Sequence, residues 1–204
     1  MTVCHKSHVA ETVAQVLEEL KRAGHRPYYL YGNQYGTGNE YAARQAYRKA
    51  YHEIRRWEKD SGVKLTHMFH ASGTGMTQGG LVAGKREARG EEEIIGISVA
   101  RDKHRGTEAV RRYAGEGNEA IRFETDYQCG GYGLYGSSIE DVIEEMMGCH
   151  GIALDPVYTG KAYAGMLKWL KQYGTGNERV LFIHTGGLPL YFDYLSGKQA
   201  QKGS

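Results

Sequence analysis

The sequence predicts an α/β fold: an open, mostly parallel sheet with helices on both faces. Three observations carry that expectation. Short apolar runs alternate with segments of helical period along most of the chain, the order that parallel strands joined by crossover helices require. Leu65–Ala71 reads as a strand, Ile94–Val99 as a buried strand and Val180–Ile183 as a final core strand. Glycine-rich polar segments follow strand-like runs at 32–39, 72–77 and 129–136.

The elements follow in order. Val9, Val13, Val16, Leu17 and Leu20 keep a helical period, and Gly24 stands where a helix should stop. After Pro27, Tyr28-Tyr29-Leu30-Tyr31 reads as a strand. Ala43, Tyr47, Ala50, Ile54 and Trp57 mark a long helix, with Asn39 as its expected cap and Ser61-Gly62 as its end. A strand at 65–71 runs into Ser72-Gly-Thr-Gly-Met-Thr77, which opens a helix to about Glu87. A buried strand at 94–99 precedes the basic segment 101–112, expected to be helical in its later part with a solvated face. Ile121–Tyr127 reads as a further strand. Ser137 and Glu140 form an expected capping box for a helix whose apolar face is Ile139, Val142, Ile143, Met146 and Met147. A helix from Lys161 to Tyr173, ended by Gly174, leads to the last core strand, 180–183.

Composition narrows the function classes. The 204 residues are 40% hydrophobic and 25% charged, which is globular rather than disordered. A net charge of +2 is too balanced for a nucleic-acid or anionic-membrane footprint. No apolar run reaches membrane-span length and the start carries no apolar leader, so a cytoplasmic protein is expected. Cys4, Cys129 and Cys149 lie too far apart in sequence to suggest a disulfide framework or a cysteine zinc site, which fits a reducing compartment. There are 29 glycines against 3 prolines, and the glycines cluster where backbone must approach something closely.

The strand–turn–helix at 71–77 is the strongest local signal. Glycines let successive N–H groups converge, the helix start adds partial positive charge, and Ser72, Thr74 and Thr77 add hydroxyls: a cradle for phosphate, or else a tight turn without a ligand. No Gly-Lys-Ser/Thr follows, which excludes a Walker loop. The spacing of Gly73, Gly75, Gly79 and Gly80 misses the dinucleotide fingerprint.

Three further segments change the reading: Gly131-Tyr-Gly133, Leu154-Asp-Pro-Val-Tyr-Thr-Gly-Lys161 and Leu181-Phe-Ile-His-Thr-Gly-Gly187. In this order they resemble the C-terminal part of the D-cysteine desulfhydrase and 1-aminocyclopropane-1-carboxylate deaminase family, from about Val9 to Tyr194. These are pyridoxal-phosphate enzymes of the tryptophan-synthase-β fold (fold type II). The resemblance implies residues 1–32 as a remnant of the smaller domain and 33–204 as the cofactor-binding large domain. It implies pyridoxal 5′-phosphate as cofactor, its phosphate held by Ser72, Gly73, Thr74, Gly75, Met76 and Thr77. Tyr132 and Tyr158 would flank a small amino-acid substrate as hydroxyl donors or proton carriers. Thr159 and Thr185 are both candidates to face the pyridine nitrogen, where a neutral hydroxyl leaves the ring less firmly protonated and suits β-elimination. Threonine at 159, where the deaminases carry glutamate, favours the desulfhydrase branch and the conversion of D-cysteine to pyruvate, ammonia and sulfide.

The family's Schiff-base lysine, in a Gly-Gly-Asn-Lys context, and the Ser-Asn-His segment after it do not occur here. The resemblance therefore implies that the smaller domain is largely missing. Either this is a fragment, or a second polypeptide supplies the lysine, or the chain has no lyase activity; a homodimer, or a separate chain carrying the lysine segment, is the expected partner. The rival expectations are a non-catalytic scaffold or relic that keeps the cradle, and an unrelated binder of phosphate esters.

Other residues read more plainly. His67 and His70 point to opposite faces of a strand and make no metal pair. His5 and His8 are expected to be solvated, and no metal site is expected. Tyr41, Tyr47 and Tyr51 are expected as a packed stripe, and Cys129 as a small buried residue. Gln34-Tyr-Gly-Thr-Gly-Asn-Glu40 recurs as Gln172–Glu178 without matching flanks.

Overall fold

A computed structural model describes residues 2–202. The chain divides into two units, the first ending at Ala43 and the second beginning at Arg44.

In the first unit, helix α1 (Val9–Arg22) carries the expected apolar stripe, none of it buried. It ends at Ala23, with Gly24 at φ +82°. The strand expected at 28–31 is not formed. Tyr28 and Leu30 are exposed, and a lone bridge between Gly32 and Gly38 is the local pairing instead. With no neighbouring strand to complete a ladder, the backbone turns at 30–31. Asn39 also departs from its expected role. Its carbonyl accepts from Ala43 N, but its side-chain amide donates to Leu30 O and the Tyr28 hydroxyl.

Helix α2 (Glu40–Ser61) runs on into the second unit. That unit is a four-stranded parallel sheet in the order β3-β2-β1-β4: β1 (His67–Ser72), β2 (Glu93–Ser98), β3 (Arg122–Glu124) and β4 (Val180–Ile183). Helices α3 (Met76–Ala88), α4 (Lys103–Ala114), α5 (Ser137–His150), α6 (Thr159–Tyr173) and α7 (Leu188–Lys202) complete it.

Strand parity sorts the core into layers. Phe69, Ala71, Ile95, Ile97 and Val99 pack on Ala162, Met166 and Trp169 of α6. Met68 and Ile94 face the other way, onto Tyr51 of α2 and Leu81 and Val82 of α3. Outside α6, Ile139, Ile143 and Met146 of α5 join Tyr191 and Tyr194 of α7 in a further apolar layer.

The packing on α3 is unusually close. A methyl group at Gly79 would lie 2.4 Å from Tyr113 Cβ, one at Gly80 2.4 Å from Tyr47 Cβ, and one at Gly84 2.7 Å from Tyr51 Cβ. The glycine face of α3 thus lets α2 and α4 touch its backbone, and three helices fix where its N-terminus sits.

Several expectations need correction. Ser137 is the first helical residue of α5 rather than its cap; Gly136 takes the extended cap conformation and makes no side-chain hydrogen bond. Tyr51 is buried and Tyr47 half-buried, but Tyr41 is 68% exposed, so the tyrosine stripe stops short. Cys129 is exposed and sits at φ +52°, in a loop with little packing around it. Helix α7 was not anticipated from the periodicity.

Candidate functional site

In a parallel sheet every strand delivers its chain to the same edge. Here the chain passes from β1 outward to β2 and β3, then returns to the other side of β1 as β4. The gap beyond β1 and β4 is therefore the topological switch point, where the loops diverge and leave a crevice. A cavity of about 570 Å3 occupies it, within the range of small-molecule sites. Its wall includes Gly73, Thr74 and Thr77 after β1, Val99, Ala100 and Arg101 after β2, and Thr185, Gly186 and Gly187 after β4. Tyr132, Tyr158 and Tyr47 contribute aromatic surface.

The turn after β1 leads into α3 through Gly75, at φ +91°. A Cβ there would be strained, and would lie 2.7 Å from the Ala109 carbonyl carbon and 2.8 Å from Val110 N. Glycine at the cap position has a second consequence. It offers no side chain to the first N–H groups of α3, and no side-chain cap hydrogen bond is formed. These donors remain available to an anion at the positive end of the helix. Thr74 and Thr77 line the cavity beside them. Ser72 does not: it is buried, and its hydroxyl donates to Gln78 Oε1 at 3.0 Å. Gln78 in turn donates to Arg122 O at 2.7 Å, so this pair ties β1 to β3. Gly75 and Met76 shape the turn without lining the cavity.

Thr159 and Thr185, equivalent by sequence, are separated by the fold. Thr159 is fully buried; its hydroxyl donates to Asp155 Oδ2 at 2.7 Å and accepts from Asp155 N at 2.9 Å. Thr185 lines the cavity. It is held there by His184, whose Nε2 donates to Ala153 O at 2.8 Å while Nδ1 accepts from Gly186 N at 3.2 Å. Those two bonds select the Nε2–H tautomer.

Asp155 organises the opposite wall. Its buried carboxylate accepts four hydrogen bonds, from Val157 N, Tyr158 N, Thr159 N and the Thr159 hydroxyl. This turn sets Tyr158 at the start of α6, with its hydroxyl 2.8 Å from that of Tyr132. The two rings meet edge to face, with centroids 5.9 Å apart. Tyr132 is 63% exposed, so packing does not account for it.

Arg101 is the one charged side chain on the cavity wall among the described residues. Sequence reasoning placed it on a solvated face, since nothing in a basic run says which member turns inward. Asp155 and His184 were missed as well, although both lie within the strings that carried the resemblance. No lysine lines the cavity among the described residues. Lys64 pairs with Glu91, Lys85 donates to Glu92 O, and Lys161 is buried behind the wall. No group of three or more histidine, cysteine or acidic side chains is arranged to hold a metal among the described residues. No helix among them is long and apolar enough to cross a membrane.

Strands that converge on one crevice, with an uncapped helix start beside it, define the class: an α/β protein with a ligand-sized cavity at the switch point of its sheet. The chain belongs to the pyridoxal-phosphate dependent enzyme family, whose model matches residues 2–186. It is similar to a Pyrococcus abyssi protein provisionally named 1-aminocyclopropane-1-carboxylate deaminase, with 32% identity over 91% of this chain and 56% of the relative. It is 30% identical to a Klebsiella pneumoniae D-cysteine desulfhydrase over 91% of this chain and 58% of that protein. The crystal structure of an ACC deaminase homologue matches 98% of this chain and 61% of its own, with a TM-score of 0.78 at 26% identity. The fold is that of the fold type II pyridoxal-phosphate enzymes. The chain spans somewhat more than half the length of these relatives.

Proposed function

We propose that this chain forms the cofactor-binding part of a pyridoxal-phosphate lyase acting on a small amino acid, of the D-cysteine desulfhydrase type. One observation supports the reading above the rest: a single cavity brings the uncapped start of α3 together with Thr185 and the Tyr132–Tyr158 pair. The residues fit the group chemically. The N–H groups that open α3, with Thr74 and Thr77, would hold the phosphate. Thr185, rather than Thr159, would face the ring nitrogen, because the Thr159 hydroxyl is occupied by Asp155.

When bound, the cofactor supplies an electron sink for charge developing at the α-carbon of an amino acid. This chain's residues bind and orient around it. Tyr158 is held by the Asp155 turn, and Tyr132 stands within one hydrogen bond of it. A proton given up at one hydroxyl can be replaced from the other, the relay that a leaving thiolate needs. Arg101 adds positive charge to the wall and favours anionic ligands.

The lysine that would tether the cofactor comes, in this proposal, from outside the described residues: a further segment of a longer polypeptide or a separate lysine-bearing chain. Three exposed free thiols support a reducing compartment such as the cytoplasm. A second reading, a non-catalytic scaffold that keeps the phosphate cradle, is favoured by the absence of a lysine on the wall among the described residues.

Equilibrium dialysis with pyridoxal 5′-phosphate and with pyridoxal tests the binding claim. The phosphate form is expected to bind, with its ³¹P resonance shifted, and the phosphate-free form to bind at least about tenfold more weakly. Equal or absent binding of the two refutes it. Borohydride treatment with the lysine-bearing segment or chain present, followed by mass mapping, then separates the readings: a covalent cofactor mass on its lysine supports the lyase, and none supports the scaffold.

A further inference from the structure

Lys161 presents a problem that the cavity does not solve. Its side chain is fully buried, yet its two hydrogen-bond acceptors are main-chain carbonyls, Val99 O at 3.1 Å and Gly131 O at 2.7 Å. An ammonium removed from water without a carboxylate is unfavourable, and burial pulls its pKa below the usual lysine range. Methionine or leucine would fill the space without that cost. A charge retained there must supply something that packing does not.

The position of the two carbonyls suggests what it supplies. Val99 begins the wall segment after β2, and Gly131 precedes Tyr132. Lys161 itself lies in the first turn of α6, three residues after Tyr158. The ammonium thus joins the three pieces of backbone that carry one side of the cavity.

The Tyr132 loop has few other restraints. Cys129, Gly130, Gly131 and Gly133 all have positive φ, and a Cβ at Gly131 or Gly133 would meet nothing within 4 Å. Its internal hydrogen bonds are long, at 3.2 Å from Gly131 N to Gln128 O and 3.3 Å from Leu134 N to Gly131 O. Tyr132, Leu134 and Tyr135 are exposed. A chain so rich in glycine and so poor in packing needs an anchor to keep one hydroxyl in place.

We infer that Lys161 is a positioning residue that latches the 129–136 loop to the cavity wall and so places the Tyr132 hydroxyl against Tyr158. It touches no substrate in this account; it acts through Tyr132. The inference rests on the proposed site, in that the placement matters for chemistry only if Tyr132 and Tyr158 handle a proton.

The test is limited chymotryptic digestion of the full chain, with cleavage sites mapped by mass. Cleavage at Tyr132–Tyr135 reports loop opening, and cleavage at Tyr28–Tyr35 serves as an internal reference. Lys161→Met should raise the loop-to-reference ratio about tenfold or more, the loss expected for one charge-assisted hydrogen bond. Lys161→Gln, which retains a donor, should raise it less. Should Lys161→Met fail to fold, Lys161→Gln against Tyr132→Phe keeps the question decidable: the first must raise the ratio more than the second. A ratio unchanged in both lysine variants, or a rise spread equally over loop, reference and core sites, overturns the latch. If the enzyme turns over, Lys161→Met should lower kcat with KM nearly unchanged, and an equal loss in both would count against positioning. A raised ratio in a chain that binds no pyridoxal 5′-phosphate would leave the latch standing and remove the cofactor reading.

Discussion

His70 offers the sharpest link between a buried atom and a measurable property. It lies in β1, two residues before the turn that begins at Ser72, and is fully buried. Its Nδ1 is 3.0 Å from Ala71 O and donates to it, while Nε2 is buried with no partner. A second proton would put a cation at that unpartnered nitrogen, and burial pushes the pKa down from 6.5 to about 4. Between those values the unfolded chain takes up a proton that the folded chain refuses. Stability from this group is therefore complete above about pH 6.5 and declines as the pH falls towards 4. At about 1.4 kcal/mol per pKa unit, the loss reaches about 2 kcal/mol near pH 5 and about 3 kcal/mol near pH 4. Urea unfolding of the parent and of His70→Leu, followed from about pH 4 to pH 7.5, isolates the effect, because the carboxylates titrate alike in both. Whatever the variant's offset at neutral pH, the gap between the two should move in its favour by about 2 kcal/mol on going from pH 7 to pH 5. Parallel curves would show that His70 is protonated in the folded state or reached by water, and the argument from burial would fail.

Other consequences are as direct. Gly75→Ala forces a side chain onto φ +91° and into the backbone of α4; we expect at least about 1–3 kcal/mol of destabilisation by chemical unfolding, with loss of phosphate binding. Arg101→Gln should weaken pyridoxal 5′-phosphate about tenfold, flatten the salt dependence of its binding, and leave pyridoxal unaffected, as read by dialysis. Asp155→Ala leaves the N–H groups of Val157, Tyr158 and Thr159 without their acceptor; about 2–3 kcal/mol of stability should go, and Tyr158→Phe, which keeps those bonds, should lose far less.

The sheet could be read from the sequence because its two central strands, β1 and β2, are buried on both faces. The strand at Val180–Ile183 has the bounds expected of it, but at the edge of the sheet it is half-buried rather than a core strand. Tyr28–Tyr31 has strand composition without a strand, since propensity cannot supply a neighbouring ladder. Helix α7 lay hidden because glycine and polar residues interrupt its period. Within the site, Gly73, Thr74, Thr77, Tyr132, Tyr158 and Thr185 come to one cavity, while Ser72 and Thr159 turn away from it. Both have hydroxyls like those that remain. What separates them is a partner, Gln78 or Asp155, whose proximity depends on the folded turn. The repeated string shows the same limit from the other side. In both copies the glutamate Oε2 accepts from the glycine two residues before it, Gly38 to Glu40 and Gly176 to Glu178, at 2.8 and 2.9 Å. Identical residues therefore close a similar local turn, although Gly36 and Gly174 take opposite signs of φ.

The glycine seam of α3 has a bearing on how this site can diversify. With α2 and α4 pressed against that helix, Gly75, Gly79, Gly80 and Gly84 have no room for a side chain. Room for a bulkier or smaller guest must be found across the gap, at Pro189 and Leu190, since Tyr132 and Thr185 have proposed roles of their own. A library aimed at changed substrate preference belongs at those two positions, leaving the seam as it stands.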